Sequence, residues 1–139
     1  MERRLGGTVR FGVPSELAFS YLVDPRHRAE WQSSLRGVEG VTGEPRAGQT
    51  WTDITRPGLR PAMRTDVLER PRLWSESGTW RSVRAELTLR FDPVGEDACD
   101  VRYRFRVRVL GPVGLAITAL SLPAVRSDLR TAARLLGSR

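Results

Sequence analysis

The feature that most constrains this chain is a pair of long alternating segments followed by an abrupt change of period. Over residues 81–92, Ala85, Leu87, Leu89 and Phe91 alternate with Arg84, Glu86, Thr88 and Arg90. Over 99–110, Val101, Tyr103, Phe105, Val107 and Val109 alternate with Arg102, Arg104, Arg106 and Arg108. A two-residue period places one set on a buried face and the other in solvent, so each segment reads as a strand. The loop at 93–98, with Gly95 and acidic residues, joins them as a hairpin. After Gly111-Pro112 the period becomes helical: Leu122, Val125, Leu129, Ala132, Ala133 and Leu136 share one face, away from Arg126, Arg130 and Arg134. Pro123 falls inside this segment and is expected to kink or split it.

Upstream, Leu5, Gly7, Val9, Phe11 and Val13 alternate as a first strand that Pro14 stops. Pro14 suits the first turn of a short helix whose apolar face is Leu17, Ala18, Tyr21 and Leu22. Asp24 as N-cap and Pro25 at the first helical position open a second short helix through Trp31. Residues 35–41, 49–56, 62–69 and 73–77 read as further strands, the last ended by Gly78. The order predicts an α+β domain over residues 1–139: about six to seven antiparallel strands, two short helices after the first, and a long C-terminal helix covering one face of the sheet.

Composition removes several chemistries. All 23 basic residues counted as Lys and Arg are arginine, so a Walker A loop and a Schiff-base lysine are excluded. One histidine (His27) and one cysteine (Cys99) cannot build a Cys/His zinc site or an intrachain disulfide. No metal or cofactor is expected. The N-terminal residues lack the apolar run of a secretion signal, and no segment reads as a membrane span. A cytoplasmic protein, monomeric or homodimeric, is the expectation.

These elements resemble the START-like, helix-grip superfamily, and within it the polyketide cyclase/dehydrase and lipid-transport branch (SRPBCC). The resemblance rests on Val9-Arg10-Phe11-Gly12-Val13-Pro14-Ser15-Glu16 leading into Phe19-Ser20-Tyr21-Leu22-Val23-Asp24-Pro25, with Trp31 six residues on. It continues through Gly48-Gln49-Thr50-Trp51, Val67-Leu68-Glu69-Arg70-Pro71-Arg72-Leu73 and the closing arginine-rich helix. It implies a curved sheet around the last helix and a cavity between them that takes an apolar molecule such as a lipid or polyketide.

Candidate ligand-binding residues are Trp31, Trp51, Met63, Trp74, Trp80, Tyr103, Phe105 and Leu120, broad apolar groups on elements that would line such a cavity. The apolar stretch 115–122 with Pro123 is a candidate gate. If Trp51 points inward, Asp53 does too. For 62–69 the more apolar phase puts Met63, Thr65 and Val67 inside, and Arg64 and Asp66 outside. The enzymatic alternative, a cyclase or dehydratase, would draw on Tyr103, Asp53 and Arg64. His27 reads as a solvated helix residue and Cys99 as structural. A third reading uses Arg102, Arg104, Arg106 and Arg108 as a basic outer face for weak association with anionic surfaces. No aromatic residue interleaves with them on that face, so specific nucleic-acid binding is not expected.

Overall fold

The computed structural model describes residues 5–109 and 113–137, with the side chains at 113, 115, 116, 119 and 120 outside the description. Seven strands follow one another: β1 (Gly6–Phe11), β2 (Leu35–Glu39), β3 (Thr50–Thr55), β4 (Ala62–Glu69), β5 (Leu73–Trp80), β6 (Val83–Val94) and β7 (Ala98–Arg108). Between β1 and β2 lie α1 (Ser15–Leu22), a 3-10 turn (Pro25–His27) and α2 (Arg28–Trp31), and α3 (Val113–Gly137) closes the chain. The strands form a single antiparallel sheet in the order β1-β7-β6-β5-β4-β3-β2. The curved sheet and α3 make the helix-grip architecture, as the order of sequence elements predicts.

The β6–β7 hairpin holds the register that the alternation dictates. Leu87 faces Phe105, Leu89 faces Tyr103 and Phe91 faces Val101 across the ladder. Their inward side meets α3, whose Leu129, Ala132 and Leu136 are buried, and α1, which contributes Ala18, Phe19 and Leu22. Phe19 and Phe91 meet edge to face with centroids 5.0 Å apart. The core therefore sits over β1, β7, β6 and the start of β5.

Several local expectations are corrected. Pro14 precedes α1 as its N-cap, in extended backbone (φ −59°, ψ 153°), and its carbonyl accepts from the Leu17 and Ala18 N–H groups. The buried face of α1 is Ser15, Ala18, Phe19, Tyr21 and Leu22, and Leu17 is half exposed, because α1 docks between α3 and the hairpin rather than under a wide apolar layer. Strand β5 does not stop at Gly78 but runs on to Trp80, and the turn is Arg81–Ser82, with Arg81 at φ 55°. At Gly78 a Cβ would come within 2.5 Å of Met63 Sδ, the far end of a flexible side chain that would have to shift to make room. In β4, Met63 and Thr65 are buried as expected, but a bulge between Thr65 and Val67 reverses the phase. Leu68, not Val67, then packs against the core. Pro123 does not split α3, which continues through it.

The Asp24 cap matters to everything that follows, because it sets the entry to α2. Its carboxylate accepts the Arg26 backbone N–H at 3.0 Å. Asp24→Ala should cost about 1 kcal/mol, read as a lower urea midpoint with unchanged slope.

Candidate functional site

One turn after that cap, Arg28 points from α2 into the sheet and is buried. Three residues meet it because of strand parity. On β3, Trp51 and Asp53 share the inward face; on β5, Trp74 and Glu76 do. Arg28 donates from Nε to Asp53 Oδ1 at 3.0 Å and from Nη2 to Asp53 Oδ2 at 2.9 Å. It also donates from Nη2 to Glu76 Oε2 at 3.1 Å and from Nη1 to Glu76 Oε1. Trp51 Nε1 donates to Asp53 Oδ1 at 2.9 Å, and the Trp51 ring lies under the guanidinium, 5.2 Å from its carbon. Gln32 Oε1, one turn on from Arg28, accepts from Nη2 at 3.4 Å.

One cation faces two carboxylates here, so the fully ionised cluster carries +1 − 2 = −1 in the interior. Burial opposes the charge on Arg28, but Glu76 and Asp53 outweigh it and hold the guanidinium's pKa above its ordinary value. Burial likewise pushes the Glu76 carboxyl up; Arg28 pulls it back in part, while the charges of Asp53 and Asp66 add to the rise.

A group whose acid form is favoured by folding contributes stability at low pH and loses it as pH rises through the raised folded value. Glu76 should therefore make the protein less stable as pH climbs from its unfolded value near 4.5 through its folded one. Glu76→Gln should make this slope shallower, leaving the part that the half-buried Asp128 carboxyl contributes, and change stability at pH 7 by less than about 1 kcal/mol. Asp53→Asn should cost more, about 2–3 kcal/mol, because it disrupts the two-pronged bond to Arg28 and the Trp51 contact together. Denaturation at a series of pH values checks both.

The cluster forms the polar end of a cavity of about 240 Å³. Leu35, Met63, Ala85, Leu87 and Phe105 supply its apolar walls, and Trp80 stands at the rim, 36% exposed. The wall residues come from β2, β4, β5, β6 and β7, on the face the two-residue period turns inward.

Of the residues singled out from sequence, Met63, Trp80, Phe105 and Asp53 meet around this cavity. Trp51 reaches it through Arg28 and Asp53. Trp31, Trp74 and Tyr103 are packed in the core instead, and the Tyr103 hydroxyl lies 3.5 Å from Arg126 Nη1. Arg64 is on the outer face, 3.8 Å from Asp66 and well exposed, remote from Tyr103 and Asp53. Leu120 falls within α3 with its side chain outside the described residues, as does part of the 115–122 stretch. His27 is half buried rather than solvated: its ring stacks on Tyr21 at 4.7 Å and Nδ1 donates to the Tyr21 carbonyl. Cys99 is buried in the core, its thiol pKa raised by burial.

Sequence reasoning missed Arg28 and Glu76. The parity of Trp74 with Glu76 was a usable signal; for Arg28, surrounded by Arg26, His27 and Glu30, there was none. On the outer face, Arg102 pairs with Asp92 at 2.9 Å and Arg108 with Glu86 at 2.7 Å, so part of the ladder's charge is met within the sheet. Among the described residues there is no cluster of metal-ligating groups and no helix long and apolar enough to cross a membrane.

The family described as polyketide cyclase/dehydrase and lipid transport matches residues 3–139. No curated protein matches the chain in sequence. Among solved structures, protein MLL2253 from Mesorhizobium loti is similar at TM-score 0.73 and 13% identity, covering 96% of this chain and 97% of its own. Truncated norcoclaurine synthase from Thalictrum flavum is similar at TM-score 0.72 and 12% identity, over 94% of this chain and 91% of its own. The di-domain aromatase/cyclase (ARO/CYC) BexL of the BE-7585A biosynthetic pathway matches at TM-score 0.72 and 16% identity, over 93% of this chain but 44% of its own. At these identities the likeness is one of fold.

Proposed function

The chain belongs to the polyketide cyclase/dehydrase and lipid-transport family, and from that footing we propose that it binds a small, mostly apolar molecule in the cavity beside Arg28. The observation that carries this reading is an apolar-walled cavity ended by a buried charged cluster. That is the usual design of a small-molecule site, with apolar walls for affinity and a few placed polar groups for orientation. At about 240 Å³ the cavity is smaller than the roughly 300–1,000 Å³ of sites for drug-sized ligands, which favours a compact molecule of one or two rings.

Naphthalene and its singly substituted derivatives are suitable probes. Saturating probe should raise the melting temperature through mass action, with about 2.7 kcal/mol of added stability at a hundredfold excess over Kd. A flat response to all of them at their solubility limits would contradict the reading.

A second reading, turnover of a polyketide-like substrate, is favoured by one observation: a carboxyl at the cavity wall whose pKa is raised by burial. Such a group can exchange a proton with a carbon acid between two carbonyls. Glu76 and Asp53 would carry that chemistry; Arg64, on the outer face, and Tyr103, in the core, would not. Loss of cyclisation of a β-polyketone in Glu76→Gln, with binding retained, tests it. Unchanged cyclisation would remove it.

A further inference from the structure

We infer that the polar end of the ligand is a protonated amine. The inference rests on the binding reading above and deepens it, from a cavity to the charge of what the cavity takes.

Hydrogen-bond capacity at the cluster is lopsided. Arg28 directs Nε and Nη2 at Asp53, and Nη1 and Nη2 at Glu76. Its flat face is covered by Trp51. At most one guanidinium N–H is left, and the side chain cannot turn without breaking both pairs. The two carboxylates have roughly four lone-pair positions each, and the bonds from Arg28 and Trp51 occupy only some of them. The charge runs the same way, with one buried cation against two buried carboxylates. A ligand carboxylate or phosphate would meet two like charges and a guanidinium already engaged. An ammonium would find open acceptors and would neutralise the cluster with charge-assisted bonds.

The second, independent observation is where this excess lies. Glu76, Asp53 and Arg28 are not sealed in the core but stand in the wall of the apolar cavity. A buried Arg–Asp pair alone would be neutral; adding Glu76 costs desolvation that a purely structural pair avoids. The strain of that uncompensated charge shows in the Glu76 carboxyl, whose pKa burial pushes up, with the charges of Asp53 and of Asp66 on β4 adding to the rise against the pull of Arg28. A ligand ammonium would supply the counter-charge that Arg28 alone does not.

Three probes with one apolar body separate the possibilities at pH 7: naphthalen-2-ylmethanamine, naphthalen-2-ylmethanol and 2-naphthoate, with naphthalene as the reference. Only binding abolished by the cavity-filling variant Ala85→Phe is counted, which removes adsorption of the anion to the outer arginines. The amine should bind about tenfold tighter than the alcohol, and the carboxylate about a hundredfold weaker than the amine. Glu76→Gln should lower the amine's affinity about tenfold and leave the alcohol's within about threefold. Equal affinity for amine and alcohol, tighter binding of the carboxylate, or an amine preference that survives Glu76→Gln would overturn the inference. If naphthalene binds and the amine does not, the inference falls while the cavity reading stands. If no probe binds, naphthalene included, both fall.

Discussion

Arg28→Met should destabilise the fold by about 3–5 kcal/mol, more than any other single change at the cavity. The substitution keeps the size and apolar stem of the side chain, so little packing is lost. What remains is Asp53 and Glu76, buried at 4% and 6% exposure, with no cation between them. Two adjacent carboxylates cannot both stay ionised in such a place, so at least one must protonate or the region must open to water. Urea denaturation at pH 7 should show a fall in midpoint with little change in slope, and lowering the pH should recover much of the loss. The triple variant Arg28→Met, Asp53→Leu, Glu76→Met supplies the contrast. Replacing a whole buried ion cluster by apolar groups is often neutral or stabilising by about 1–4 kcal/mol. That variant should fold as well as the parent and yet have lost the polar end of the site. Full stability in Arg28→Met alone would mean that the cluster is not closed as described.

The second large effect is on binding rather than folding. Ala85 lies on β6 opposite Gly78, and its side chain faces the cavity. Phenylalanine there would project into the space between Met63, Leu87 and Phe105, filling a void instead of displacing packed atoms. Stability should change by no more than about 1–3 kcal/mol, the usual range for added bulk, because the void absorbs most of the ring. Affinity for a naphthalene probe should fall by about a hundredfold or more, the loss of most of a site's buried apolar contact. Titration of the intrinsic tryptophan fluorescence in parent and variant measures both constants. An unchanged Kd would place the probe elsewhere on the molecule.

Much of this architecture was readable from local pattern. The β6–β7 hairpin and the covering face of α3 follow from period alone, because long elements with one dry face leave little freedom in phase. Errors came where a distant neighbour decides the local structure. Gly78 reads as a stop, yet β5 continues through it because it pairs with Met63 on β4 and Ala85 on β6. The phase of β4 changes at a bulge that no composition marks, so Leu68 and Val67 exchange faces. Leu17 reads as part of the apolar face of α1 and Phe19 does not, the reverse of their burial, because a helix of 8 residues has too few turns to define its stripe.

The candidate site was legible only in part, and for a related reason. Asp53 follows from Trp51 by parity, and Glu76 from Trp74, since both pairs share an inward face. Their cation lies 25 residues before Asp53 and 48 before Glu76. Arg28 has the same sequence surroundings as the exposed arginines, and only the reach of its side chain from α2 to Asp53 on β3 and Glu76 on β5 distinguishes it. The tryptophans divide for similar reasons. Trp31 and Trp74 fall on elements that α3 or the core covers, while Trp80 lies at the end of β5 beside the cavity, with the Arg81 guanidinium 4.8 Å from its ring centre.

That division gives the most direct test of the claim that the cavity beside Arg28 is the ligand site. The four tryptophans should give resolvable indole N–H resonances, two of them at the site and two in the core. Titration of the protein with naphthalen-2-ylmethanol, followed by 1H–15N NMR, should move the Trp80 and Trp51 signals in a saturable way. The Trp31 and Trp74 signals should hold still. Saturable movement of Trp31 and Trp74 with Trp80 and Trp51 unmoved, or no saturable movement at all, would contradict the account.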